Sequence, residues 1–115
     1  MMDWNAYRDQ VNAAVREMSA ANPEIVKAYA GLSHANAKST HIDAKTRELI
    51  ALAVAVTLRC DGCINAHTEA AIKAGASKEE IVDALSVAIM VNAGATMVYS
   101  ARTIDAYDTK AADKR

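Results

Sequence analysis

Residues 84–101, ALSVAIMVNAGATMVYSA, run for eighteen positions without a formally charged side chain. So apolar a segment has three destinations: the core of its own chain, a face shared between subunits, or a bilayer, which about 20 helical residues span. Ser86, Asn92, Thr96 and Ser100 interrupt the run with polar groups, and flanking basic anchors are sparse, which favours protein over lipid as its surroundings. The spacing predicts a long helix buried in the core or between subunits, with Gly94 as the point where it could break. Ser77-Lys78-Glu79-Glu80 ahead of it is a capping box that sets its start.

The rest of the chain also reads as helix. Residues 3–20 carry an apolar stripe of Trp4, Tyr7, Val11, Ala14, Val15 and Met18. Asn22-Pro23 starts a second helix, with Asn22 as N-cap, running to about residue 36 with Ile25, Val26, Tyr29 and Leu32 turned inward. Segment 36–42 is polar and reads as a loop. Asp43 caps a third helix over about 44–58, whose LIALAVAVTL run predicts burial on most sides. A fourth begins near Asp61-Gly62 and closes at Gly75 as the C′ residue. The charged tail from Lys110 is expected to fray. The chain is therefore expected to be a single all-α domain.

With 115 residues, no Phe, one Trp and four Tyr, the core must be built from Ala, Val, Ile, Leu and Met. Small side chains bury little area each, which raises the expectation that subunits share apolar faces. A formal net charge of −1 gives no electrostatic case for nucleic acid or an anionic membrane. The start lacks a basic region followed by an apolar one, so a cytoplasmic location is expected. Two cysteines three apart cannot staple distant segments. In a reducing compartment such a pair points to catalysis or metal binding.

The chemistry concentrates in Cys60-Asp61-Gly62-Cys63-Ile64-Asn65-Ala66-His67. Spacings of three, four and seven place Cys60, Cys63 and His67 on one helical face if the helix reaches back to Cys60. Both thiols lie near a helix N-terminus, where unpaired N–H groups and the macrodipole favour a thiolate; Asp61 works slightly against this. A thiolate can attack a peroxide oxygen and become a sulfenic acid, which a second nearby thiol condenses into a disulfide. The same pair can instead exchange with another disulfide. Glu48 lies at the start of the apolar third helix, where an unpartnered charge would be costly. If helices three and four pack antiparallel, it can orient His67 as a base.

Glu48, then eleven intervening residues, then Cys60-x-x-Cys63-x-x-x-His67 resembles the signature of the AhpD-like alkyl hydroperoxidases of the carboxymuconolactone decarboxylase superfamily, over roughly residues 20–105. The resemblance implies an all-α fold of about five to six helices, with the CxxC at the N-terminus of a central helix, assembled as a homotrimer or homohexamer. It implies peroxide reduction, or dithiol–disulfide exchange with an external dithiol reductant, and no cofactor. It makes Cys63 the attacking thiol, Cys60 the resolving thiol and proton donor, and Glu48 with His67 the proton relay; Cys60 and Cys63 would form the redox-active disulfide. One position departs from the pattern: Gly62 stands where better-known members often carry a His between the cysteines.

Other readings compete. Cys60, Cys63 and His67 could bind zinc, with Glu48, His41 or His34 as a fourth ligand, but no second Cys/His pair from a distant hairpin exists. That reading makes the chain a non-catalytic metal-binding or redox-sensing module. A decarboxylase-like lyase would leave the cysteines dispensable. Glu48 could be only a first-turn acid favoured by the helix dipole. His34 and His41 read as solvated, and Met90 and Met97 as core filler.

Overall fold

The computed structural model describes residues 1–38 and 40–115. Every element among them is helical: α1 (Trp4–Ala21), α2 (Pro23–Ala37), α3 (Ala44–Leu58), α4 (Asp61–Lys73) and α5 (Lys78–Ala112). The starts follow local chemistry. The Asp43 carboxylate accepts from the Thr46 N–H at 2.7 Å. Ser77 Oγ accepts from the Glu80 N–H at 3.1 Å while Glu80 Oε1 accepts from the Ser77 N–H at 3.0 Å, closing the capping box on both sides. Asn22 departs from its expected role: its side chain makes no cap, and its backbone N–H instead closes α1 on the Met18 carbonyl at 2.8 Å. The expected 36–42 loop is shorter than predicted, because α2 continues to Ala37; Ser39 lies outside the described residues.

Polar contacts between helices set their directions. Lys45 Nζ meets Glu80 Oε2 at 2.7 Å, and twelve residues further along each helix Asn92 Nδ2 donates to Thr57 Oγ1 at 2.8 Å. The constant offset makes α3 and α5 parallel. Likewise Asn65 Nδ2 donates to the Trp4 carbonyl at 3.1 Å, and Arg8 meets Glu69 at 3.4 Å, so α1 and α4 are parallel. Lys73 and Arg8 beside Glu69 hold its carboxyl below the usual carboxylate range. Helix α4 returns antiparallel to α3. The principal packing partners are α2 with α1, α1 with α4, α4 with α3, and α3 with α5. This order, α2-α1-α4-α3-α5, is an open row in which no second layer of helices covers the first.

An open row buries little. Only Leu52, Ala55, Ala71 and Ala88 form a buried hydrophobic core among the described residues. Several inward assignments are therefore overturned. Ile25, Tyr29 and Leu32 of α2 are exposed. Met90 and Met97 are surface residues rather than core filler. Helix α3 is not buried on most sides: Leu52 and Ala55 are inside, while Ile50, Val54 and Leu58 form an exposed row at i, i+4 and i+8. Helix α5 runs unbroken through Gly94 for 35 residues, and only Ala88 of it is buried. By length and composition it is long and apolar enough to cross a membrane. Helix α5 persists past Lys110 to Ala112, against the expected fraying from Lys110.

Candidate thiol site

The dithiol sits where α3 turns into α4. Helix α3 ends in a Schellman motif: the Cys60 N–H bonds the Ala55 carbonyl at 3.1 Å, and the Arg59 N–H bonds the Val56 carbonyl at 3.2 Å. Arg59 occupies the left-handed position at φ 52, ψ 44, usually held by glycine. Cys60 then opens α4 as its N-cap. Its Sγ accepts from the Cys63 N–H at 3.2 Å, the bond that an N-cap oxygen normally takes. The two cysteines are joined as a disulfide, with Cα atoms 5.3 Å apart. Two residues thus connect the helices, and one of them is a disulfide cysteine. At the other end, α4 closes in a second Schellman motif through Gly75 at φ +88, with the Ala76 N–H on the Ala71 carbonyl at 2.9 Å.

One turn below Cys63, His67 Nδ1 lies 2.7 Å from Glu48 Oε2. The Glu48 side chain is 21% exposed and that of His67 39%. With Glu48 ionised, the Nδ1 proton is donated to the carboxylate, which leaves Nε2 as the ring's acceptor nitrogen. The antiparallel packing of α3 and α4 thus partners the carboxylate that sequence reasoning placed at the head of an apolar helix. Glu48, Cys63 and His67 share a cavity of about 300 Å³, whose walls include Ile50, Ala51, Val54, Leu58, Asn36 and Arg47.

Sequence reasoning missed the cavity walls. The signal is present in the i, i+4, i+8 spacing of Ile50, Val54 and Leu58, which a reading of α3 as buried on most sides hides. Arg47 donates to the Ala37 carbonyl at 3.3 Å and the Ile42 carbonyl at 3.4 Å, joining the start of α3 to the end of α2. Tyr7 of α1 was also missed: its hydroxyl lies 3.9 Å from where a Cβ at position 62 would stand. The space beside Gly62 is therefore bounded by a phenol from another helix. His34 and His41 are exposed, as expected. Among the described residues, no group of three or more His, Cys, Asp and Glu side chains is arranged to hold a metal ion.

Residues 23–106 match the carboxymuconolactone decarboxylase family. The chain belongs to that family. The match takes in α2 to α4 and α5 as far as residue 106, and with them Glu48, Cys60, Cys63 and His67. An uncharacterized protein of Haemophilus influenzae is 48% identical over 110 residues, spanning 96% of this chain and 97% of its own length. An uncharacterized protein from the cox locus of Paracoccus denitrificans is 33% identical over 99 residues, covering 86% of this chain and 89% of that protein. Among solved structures, a carboxymuconolactone decarboxylase family protein from Legionella pneumophila superposes with a TM-score of 0.73 at 28% identity, covering 92% of this chain and 95% of that one. The AhpD-like resemblance read from Glu48, the CxxC pair and His67 thus falls within a family shared over most of the chain.

Proposed function

We propose that this family member is a thiol-dependent oxidoreductase that reduces an organic hydroperoxide, with dithiol–disulfide exchange as the second half of the same cycle. The observation that carries the reading is the 2.7 Å Glu48–His67 pair in one cavity with Cys63. A proton relay beside a thiol is what peroxide cleavage needs, because the departing alkoxide must be protonated.

The cycle balances on this chain's own residues. The Cys63 thiolate attacks the terminal peroxide oxygen; an S–O bond forms as the O–O bond breaks. His67, held by Glu48, supplies the proton that turns the leaving alkoxide into an alcohol. The Cys60 thiol then attacks the Cys63 sulfenic acid, forming the S–S bond and releasing water. An external dithiol reduces that disulfide through a mixed disulfide and leaves both cysteines as thiols. The N-cap position of Cys60 gives its sulfur a backbone N–H partner, which favours its thiolate as the group displaced in exchange. The assignment of Cys63 as attacking thiol follows the family resemblance. It is supported by the position of Cys63, and not Cys60, in the cavity wall.

The test is hydroperoxide consumption with a dithiol reductant for wild type, Cys63→Ser and Cys60→Ser, with metal content measured on the same samples. Wild type should turn over, Cys63→Ser should be inert, and Cys60→Ser should stall after one equivalent. Stoichiometric zinc with peroxide inertness would favour the metal-binding module, and full activity in Cys63→Ser would move the attack to Cys60. Activity toward a lactone that survives loss of both cysteines would support the lyase reading.

A further inference from the structure

We infer that the Tyr7 hydroxyl of α1 belongs to the thiol site, where it donates a hydrogen bond to the Cys63 sulfur once the disulfide opens. The inference rests on reading the cysteine pair as a redox dithiol. It adds a donor for the sulfur that the backbone leaves without one.

Gly62, the residue immediately before Cys63, brings no side chain to the first turn of α4. The Tyr7 hydroxyl stands 3.9 Å from where a Cβ there would be, so the phenol oxygen covers the bare backbone between the two cysteines. Consecutive Cα atoms are about 3.8 Å apart, which puts that oxygen within a side chain's reach of Cys63. The ring is held in place. Its edge meets the Trp4 ring, with centroids 6.2 Å apart and planes at 83°. The Trp4 carbonyl accepts from Asn65 Nδ2 at 3.1 Å, and Arg8 meets Glu69 at 3.4 Å. Helix α1 is thus pinned to α4 one turn before Tyr7 and one residue after it. Trp4, Tyr7 and Arg8 all lie outside the family-matched residues 23–106, so this hydroxyl comes to the site from beyond the segment that carries the cysteines.

The hydroxyl has nothing else to do. Tyr7 is half-buried, and its oxygen makes no hydrogen bond to another described residue, although a phenol withdrawn from water usually finds a partner. The two sulfurs are unequally served. Cys60 Sγ accepts from the Cys63 N–H at 3.2 Å, whereas no hydrogen bond among the described residues reaches Cys63 Sγ. In the cycle proposed above, the external dithiol displaces Cys60 and is left in a mixed disulfide with Cys63. Its second thiolate then attacks its own bonded sulfur. The disulfide within the reductant forms, the bond to Cys63 breaks, and Cys63 leaves with the electron pair as a thiolate. Freed of its covalent partner, the Cys63 side chain can change staggered rotamer and turn its sulfur toward Gly62, where the Tyr7 O–H donates to it. The proton stays on the phenol oxygen. A hydrogen bond to the charged form favours that form, so Tyr7 eases release of the reductant and keeps Cys63 ionised for the next attack.

The test reads the Cys63 thiol directly, in the full-length chain. In a Cys60→Ser background, alkylation of Cys63 by iodoacetamide is followed across pH. Tyr7→Phe keeps the ring and its contact with Trp4, and should move the midpoint up by about one pH unit, a factor of about ten in the acid equilibrium. The charged and titratable neighbours stay as they are: Arg8 on α1, Arg47 and Glu48 on α3, and Asp61, His67 and Glu69 on α4, while α2 brings only Asn36 to the Cys63 cavity. With both cysteines present, equilibration against dithiothreitol should favour the disulfide about tenfold more in Tyr7→Phe, about 30 mV for this two-electron couple. Gly62→Leu reaches the same end from the other helix, because a side chain longer than one carbon runs into the phenol; it should move both readouts in the same direction. The double variant should match Tyr7→Phe alone, since the leucine then has no hydroxyl to displace. Circular dichroism checks that each variant keeps its helices. A midpoint and an equilibrium unchanged in Tyr7→Phe overturn the inference, and so do shifts that add in the double variant. Neither readout uses peroxide, so an inert wild type would count against the proposed activity and leave both standing.

Discussion

His67 Nδ1 and Glu48 Oε2, nineteen residues apart in sequence, meet at 2.7 Å across the α3–α4 seam. The pair fixes which imidazole nitrogen is committed and which is free to act. Replacing Glu48 with Gln keeps the size of the side chain but removes the carboxylate that holds the ring at Nδ1. Turnover with hydroperoxide should fall by about 100-fold, at the lower end of what a positioned acid–base group supplies. His67→Gln should do the same, and the double variant should be little worse than either single one, because the two residues act as one unit. Steady-state rates across pH for the three variants check this; additive losses would separate the two roles.

Leu52 is the largest member of the four-residue core and is only 2% exposed. In a fold with so little core, one cavity is a large fraction of the total. Leu52→Ala should cost about 3 kcal/mol, within the usual range for buried leucine truncations. The measurement is urea unfolding at fixed protein concentration, since any assembly adds a concentration-dependent contribution. A loss under 1 kcal/mol would mean that α3 is held mainly by contacts outside the protomer.

These two sites show how far the sequence could be read. Helix starts at Asp43 and Ser77 are decided by side chains within three residues of the cap, so the local pattern is enough. The stop at Gly75 is legible for the same reason. The Glu48–His67 meeting required only that two helices joined by a short turn pack antiparallel. Exposure of Tyr29, Leu32, Met97 and the Ile50–Val54–Leu58 row was not legible. A 3.6-residue periodicity says which face of a helix is apolar, and nothing about which molecule covers it. Helix α5 shows the same limit at larger scale: its uncharged run demanded an apolar partner, and its own chain supplies one for only the first half.

The Lys45–Glu80 contact ties the starts of α3 and α5 together at 2.7 Å. The lysine, with the Ser77 backbone N–H, holds the Glu80 carboxyl below the ordinary glutamate range. The Thr46 backbone N–H likewise lowers Asp43. A carboxylate whose folded pKa is depressed contributes its stability fully above its unfolded value, near 4, and loses it as pH falls through the folded value. Lys45 is raised by Glu80, so its contribution is present below the ordinary lysine value and is lost only as pH rises through the folded one. The difference in urea midpoint between wild type and Glu80→Gln should therefore be constant from pH 6 to 9 and shrink below about pH 4. A difference that widens under acid would contradict the pairing.

Ser77→Ala opens the capping box at the start of α5. One N-cap bond is lost and its reciprocal partner Glu80 is loosened, so stability should fall by about 1 kcal/mol. Cys63 alkylation should be unchanged, because Ser77 lies outside the thiol cavity. Denaturation midpoints and alkylation rates on the same preparation check both halves.

Arg59 is the only non-glycine residue at positive φ among the described residues, and it stands immediately before Cys60. A left-handed conformation costs an L side chain about 1–2 kcal/mol. Glycine would remove that cost, at the expense of about 0.5–1 kcal/mol for the freer unfolded chain. Arg59→Gly should therefore stabilise the protein by about 0.5–1 kcal/mol, with the same dependence on denaturant and an intact α3–α4 turn. Arg59→Lys, which keeps the backbone cost, should leave stability unchanged. A variant Arg59→Gly that is less stable than wild type would show that the side chain holds the turn by a contact stronger than its strain.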